Sequence, residues 1–216
     1  MEIQLTGIGK RYGLEWIFRK LDYRFESGFS YALTGHNGSG KSTLLKIISG
    51  GLTVSEGNVI FKKNEQSLSQ IEVASEVAYV APYIFLIEQF TLREMLKFHL
   101  RFKKMNVKSM DELIDILDLK AHLNKPISHF SSGMMQRLKL CLAILSDTEI
   151  LLLDEPTSYL DAKAIDWYRD LLNNHIQNRL VLIGSNKTNE YNFVTGGVIH
   201  LPDYKYTRKN SYGTQL

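Results

Sequence analysis

Cysteine is nearly absent. Cys141 is the only one in 216 residues, which excludes an intrachain disulfide and a thiolate zinc cage and suits a reducing compartment, by default the cytosol. Long apolar runs are absent too. Stretches such as Phe85 to Ile87 and Ile150 to Leu153 fall far short of the ~20 residues that cross a bilayer. The opening MEIQLTGIGK has no basic start, apolar stretch and small-residue cleavage site, so it does not read as a secretory signal. If the protein works at a membrane, another chain is expected to supply the membrane part. Nor is there an excess of one charge: 26 Lys and Arg face 23 Asp and Glu, a formal +3. That balance carries no electrostatic footprint for nucleic acid. Beyond His36, the histidines have no HxxxH or HxH partner, so none is expected to bind a metal. Repeats, low-complexity tracts and flexible linkers are missing as well.

What is present is ordinary globular material. The chain is 44% hydrophobic and 23% charged, and its length suits one domain of about 100 to 200 residues, with an inserted subdomain at most. Short β-rich stretches, Ile3 to Gly7 and Trp16 to Phe25, are broken by turn residues at Gly13 and Ser27-Gly28, which predicts an N-terminal meander of strands. Phe29 to Leu33 then runs into a glycine-rich loop that opens a helical pattern, Lys41 to Ile48. Gly57 to Phe61 and Val77 to Ala81 read as further strands. Helices follow. Thr91 with Glu94, and Ser109 with Glu112, each carry the spacing of a capping box, and a third helical pattern runs from Ser132 to near Ser146. Ile150 to Leu153 is wholly apolar, as a strand buried on both faces must be. Helix (Ala162 to Asn173) and strands (Leu180 to Gly184, Gly197 to Leu201) complete the pattern, and the polar end, Lys205 to Leu216, is expected to be loose. The expected fold is therefore α/β. A nucleotide-binding core made of residues 1–81 and 146–216 carries an antiparallel β-subdomain, and residues 82–145 form an inserted helical subdomain.

Three motifs carry chemistry. The run Gly35-His36-Asn37-Gly38-Ser39-Gly40-Lys41-Ser42, followed by Thr43, fits the phosphate-loop pattern G-x-x-x-x-G-K-[ST]. Its glycines let successive backbone N–H groups curl around a phosphate, and the helix that starts at Lys41 aims its positive dipole end at the same anion. Lys41 should reach the β- and γ-phosphates, and the Ser42 hydroxyl should ligate Mg2+. The second motif is the apolar strand Ile150 to Leu153 ending in Asp154 and Glu155. A strand end beside a phosphate loop lets Asp154 hold Mg2+ through water and lets Glu155 polarise the water that attacks the γ-phosphate. The third, Phe130-Ser131-Ser132-Gly133-Met134-Met135-Gln136-Arg137, is by itself a serine N-cap with a glycine.

Together these segments resemble the nucleotide-binding subunits of ABC (ATP-binding cassette) transporters. GHNGSGKST, SSGMMQR and LLLDEPTSYLD occur in that family's order, over nearly the whole chain. The resemblance implies a P-loop ATPase with ATP and Mg2+ as cofactors. Tyr12 matches the family's adenine-stacking aromatic. Ser131, Ser132, Gly133 and Met134 match the signature loop, here SSGM in place of the commoner SGGQ, which binds the γ-phosphate held by the opposite subunit. Ser158-Tyr159-Leu160-Asp161 matches the loop that crosses the dimer interface. The implied partners are a second cassette, identical or not, in a head-to-tail dimer, and a transmembrane permease that keeps the chain peripheral at the cytoplasmic face. Nucleic acid is not an expected partner.

Two family residues are missing. Where the family has a glutamine that touches Mg2+ and reports to the membrane partner, this chain has Pro82, which offers no side-chain hydrogen bond. Where the family has a histidine, it has Asn186, which can donate to a γ-phosphate but cannot take up a proton in the physiological range. Reduced or differently gated hydrolysis is therefore expected, although Glu155 argues against a dead site. The apolar stretch Tyr83 to Ile87 is expected to line, in part, the groove that receives a permease helix. Two other readings stand beside the transporter ATPase: a nucleotide-gated subunit with little intrinsic hydrolysis, and a soluble ABC ATPase acting on nucleic acid or the ribosome. The chain has no room for the second cassette, long insertion or zinc modules usual in the latter.

Overall fold

The computed structural model describes residues 1–176 and 178–205; the end expected to be loose lies, past Lys205, outside the described residues. β1 (Glu2–Tyr12) and β2 (Glu15–Glu26) form an antiparallel hairpin. The next strand, β3 (Ser30–Thr34), leaves for another sheet, and β4 (Glu56–Lys63) returns to pair antiparallel with β1. With β5 (Gln66–Ser67) the order is β2-β1-β4-β5, so the antiparallel sheet is not a simple sequential meander.

The second sheet adds β6 (Val77–Val80), β7 (Ile150–Asp154), β8 (Leu180–Gly184) and β9 (Gly197–His200) to β3, in the order β6-β7-β8-β3-β9. All its pairings are parallel. Successive side chains of a strand point to opposite faces, and here both faces are covered. Ile150, Leu152, Leu180 and Leu182 pack with α1 (Lys41–Ile48) and the antiparallel sheet. Leu151, Leu153, Val181 and Ile183 pack with the helices on the other side. Full burial of each such side chain stabilises the fold by about 1.5–3 kcal/mol, which is why these strands are apolar throughout instead of alternating.

Between β6 and β7 run α3 (Leu92–Phe102), α4 (Met110–Leu117) and α5 (Ser132–Ile144). Thr91 closes a full capping box with Glu94. The expected box at Ser109 is only half made. Ser109 accepts from the Glu112 amide, but with φ of −155° instead of the −69° of Thr91 its own N–H is turned aside. The Glu112 carboxylate takes the Lys108 N–H. A genuine box at Ser69 and Glu72 starts the short α2 (Gln70–Ser75). Leu138, Leu140, Leu142 and Ile144 of α5 are buried, and with them Cys141, whose thiol burial pushes up to about 12, leaving it unreactive. α6 (Ala162–His175), capped by Asp161, packs beside α5.

Candidate functional site

β7, β8 and β3 are neighbours and run the same way. Their carboxyl ends therefore converge, bringing the loop after Thr34, the acids at 154 and 155, and the segment after Gly184 to one edge of the sheet. That edge is where open α/β sheets take their ligands. Two glycines there are demanded by space. Gly40 has φ of 106°, and a Cβ on it would stand 2.7 Å from Ile17 Cγ2. A Cβ on Gly184 would stand 3.2 Å from Asp154 Oδ1 and 2.9 Å from Leu45 Cδ1, pushing the carboxylate off its seat.

The loop between β3 and α1 forms the floor of a cleft of about 300 Å³, with Asn37, Lys41, Ser42, Thr43 and Glu155 among its lining. Lys41 is buried, and its ammonium donates to the carbonyls of Gly35 at 2.7 Å and His36 at 3.3 Å. Burial lowers its pKa, while Glu155 and Asp154 pull it back up. His36 is exposed and turns its ring to the Asn37 carbonyl. Ser39 is buried, and its hydroxyl has no hydrogen-bond partner among the described residues.

Asp154 is 2% exposed. Burial raises its carboxyl pKa, Ser42 beside it lowers it, Glu155 raises it, and Lys41 and Tyr83 lower it. One oxygen, Oδ2, accepts from the Tyr83 hydroxyl at 3.4 Å, and the other, Oδ1, is buried without a partner among the described residues. Glu155 sits in the left-handed region with φ of 48°, its N–H held by the Gly184 carbonyl at 2.8 Å. A non-glycine residue there costs of order 1–3 kcal/mol, and such strain gathers at functional sites. Asn186, after β8, donates its amide to Oδ1 of Asn37, a lining residue of the cleft, at 2.9 Å.

Lys41, Ser42, Asp154, Glu155 and Asn186 are thus brought together. Others are not. Tyr12 is exposed, with the Lys10 ammonium 5.4 Å from its ring centroid, and does not line the cleft. Ser131 and Ser132 are exposed at the start of α5, where Ser131 caps the Met134 N–H at 3.2 Å, and none of Ser131 to Met134 lines the cleft. Gly133 lies instead against the 158–161 loop, where a Cβ on it would be 3.1 Å from the Tyr159 carbonyl.

Several site residues escape the sequence reading. Tyr83 falls in an apolar run, yet its hydroxyl turns to Asp154 and hydrogen-bonds that of Tyr79. Burial pushes the Tyr83 phenol up to about 12 and raises Tyr79 further, so both hold their protons. Gln136, inside the third motif, is 3% exposed and donates to the Pro156 carbonyl at 2.8 Å, tying α5 to the residue after Glu155. Thr157 donates to the buried Glu190, which Lys187 also approaches at 3.5 Å. No spacing rule flags the long-range contacts of Tyr83 with Asp154, Gln136 with Pro156, or Thr157 with Glu190.

The donors fit a hard divalent cation. A buried carboxylate oxygen without a partner beside a serine hydroxyl is an oxygen set of the kind Mg2+ accepts, with waters completing its shell.

Residues 18–158 match the family model described as ABC transporter. The chain belongs to that family. An ABC transporter ATP-binding protein of Bacillus subtilis, YcbN, is 31% identical over 170 residues, 78% of this chain and 55% of its own length. The Nod factor export ATP-binding protein I of Sinorhizobium fredii is 31% identical over 173 residues, 77% of this chain and 50% of its own. The chain thus spans about half the length of these relatives. Among solved structures, a dimeric bacterial ABC transporter cassette superposes with a TM-score of 0.76 at 23% identity, covering 92% of this chain and 94% of that one. An ATP-bound Atm1-family exporter gives 0.79 at 15% identity, over 93% of this chain and 37% of that one. The fold is that of an ABC cassette, the mixed α/β P-loop type, from a family that binds ATP.

Proposed function

We propose that this chain binds MgATP and hydrolyses it, as the cytoplasmic motor of a transporter whose membrane-spanning part is a separate permease. The observation that carries the reading is that Lys41, Ser42 and Glu155 line one cleft at the carboxyl edge of a parallel sheet, with the buried Asp154 directly beside Ser42. The Lys41 ammonium exchanges the Gly35 and His36 carbonyls for β- and γ-phosphate oxygens, and the N-terminus of α1 adds its dipole. Ser42 and Asp154 hold Mg2+, which when bound neutralises charge that develops on the phosphates. Glu155 orients the attacking water and takes its proton. Asn186 hydrogen-bonds the γ-phosphate without exchanging a proton.

None of the signature residues Ser131 to Met134 lines the cleft of its own chain, and Ser131 and Ser132 face solvent at a helix start. A second cassette docked head to tail would bring its own signature loop to this γ-phosphate, and a solved cassette of the same fold is dimeric, which supports a pair of cassettes. The test is the size of the purified protein with MgATP, for wild type and Glu155→Gln, alongside phosphate release. A variant that dimerises on ATP while only the wild type hydrolyses supports a homodimeric motor. ATP binding with neither dimer nor phosphate release points to a heterodimer or a permease-dependent cassette.

A second reading, a nucleotide-gated subunit that hardly hydrolyses ATP, draws on Asn186 and Pro82. Turnover that stays negligible with the permease present would favour it.

A further inference from the structure

The metal-site carboxylate is held from a side that the phosphate loop does not supply. Tyr83 lies on the loop after β6, and its ring is fixed on two sides: the Lys46 ammonium stands 3.9 Å from the ring centroid, and the Tyr79 ring packs edge-on at 6.3 Å. Tyr83 is 36% exposed, and its hydroxyl reaches toward Asp154 Oδ2 at 3.4 Å. A hydroxyl carries a single proton. When that proton is given to the carboxylate, Tyr83 accepts from Tyr79, and the two phenols and Asp154 form one hydrogen-bonded chain. Pro82, between them in sequence, contributes no side-chain donor.

We propose that Tyr83, backed by Tyr79, is a positioning residue for Asp154: it fixes the carboxylate through Oδ2 and so orients its other oxygen for Mg2+. The proposal rests on the reading of Asp154 as the carboxylate that holds Mg2+. The 3.4 Å separation is long for a phenol on a carboxylate, and such bonds tighten when the ligand arrives. Partners that orient a metal-holding group commonly change metal affinity 10- to 100-fold when removed.

The experiment is the affinity of the purified chain for a fluorescent ATP analogue, titrated with Mg2+ and repeated in EDTA, for wild type, Tyr83→Phe, Tyr79→Phe, Asp154→Asn and the 83/154 double variant. Tyr83→Phe should need about 10-fold more Mg2+ for the half-maximal gain in affinity, with EDTA binding unchanged. Tyr79→Phe should shift the midpoint the same way by less, and Tyr83→Phe should add nothing on top of Asp154→Asn. An unmoved Mg2+ midpoint in Tyr83→Phe, while Asp154→Asn abolishes the gain, overturns the proposal and leaves the metal reading standing. Equal weakening with and without Mg2+ overturns it in favour of a general packing role. A wild type whose affinity ignores Mg2+, or an Asp154→Asn variant that keeps the full gain, removes the metal reading and the proposal with it.

Discussion

Asn186 donates its side-chain amide to Oδ1 of Asn37 at 2.9 Å, linking the segment after β8 to the phosphate loop. The contact holds Asn186 against a residue that lines the cleft. One neutral hydrogen bond contributes about 1 kcal/mol net, a factor of roughly five. Asn186→Ala should therefore lower phosphate release several-fold beyond any change in ATP affinity. Asn186→His should introduce a step in the pH profile of turnover near pH 6.5, the ordinary value of an imidazole, where residue 186 gives the wild type none. Phosphate release measured from pH 5.5 to 8.5 checks both.

Asp154 sets function against stability. Its carboxyl is raised above the unfolded value of 3.8, chiefly by burial. The folded state therefore holds this proton more tightly than the unfolded state does. Stability from that proton is present below the unfolded pKa and is lost as pH rises through the raised one. At neutral pH the nucleotide-free protein carries a buried, ionised group with an unpartnered oxygen, a burden of about 1–3 kcal/mol. Asp154→Asn should melt about 2–6 °C higher than wild type at pH 7.5, and the gain should shrink as pH falls toward 4.5. Thermal melts across pH, without nucleotide, read it directly.

Gln136 is a different kind of tie. Buried in α5, it donates to the Pro156 carbonyl at 2.8 Å, one residue past Glu155. Gln136→Leu keeps the bulk but orphans that carbonyl, at a cost of about 1–3 kcal/mol. Its melting temperature should fall by about 2–6 °C, and its turnover should fall more than its ATP affinity, since the strained Glu155 loses a neighbour that fixes the loop.

Much of this arrangement is written locally. The apolar run before Asp154, the glycines and lysine of the phosphate loop, and Thr91 with Glu94 each state their structure within a few residues, because period, backbone permissiveness and capping are short-range effects. The half-made cap at Ser109 shows the limit. The spacing was right, but a backbone turned to φ of −155° gave the Glu112 carboxylate to Lys108. Tyr83 shows it more sharply: in sequence it is one more apolar residue after Pro82, and only the packing of β6 against β7 and α1 brings its hydroxyl to Asp154. The short α2 and β5 show no period in six and two residues, and for α2 the only local signal is the Ser69–Glu72 box.

The apolar stretch Tyr83 to Ile87 divides in the structure. Leu86 is half-buried and packs on the helical side of the core, whereas Phe85 is 79% exposed. An acid in place of Leu86 would put a carboxylate into that contact, so lost membrane recruitment there could not be told from lost folding. Phe85 separates the two. Phe85→Glu removes an exposed aromatic that stabilises nothing in the isolated chain, so its melting temperature and basal phosphate release should stay close to wild type, within about 0.5 kcal/mol. If the segment receives a permease helix, recruitment to membranes that contain the permease should drop at least tenfold, because an exposed aromatic is the kind of anchor that dominates an interface. Co-sedimentation with those membranes, alongside the melt, checks it. Full recruitment of Phe85→Glu would move the docking surface elsewhere on the molecule.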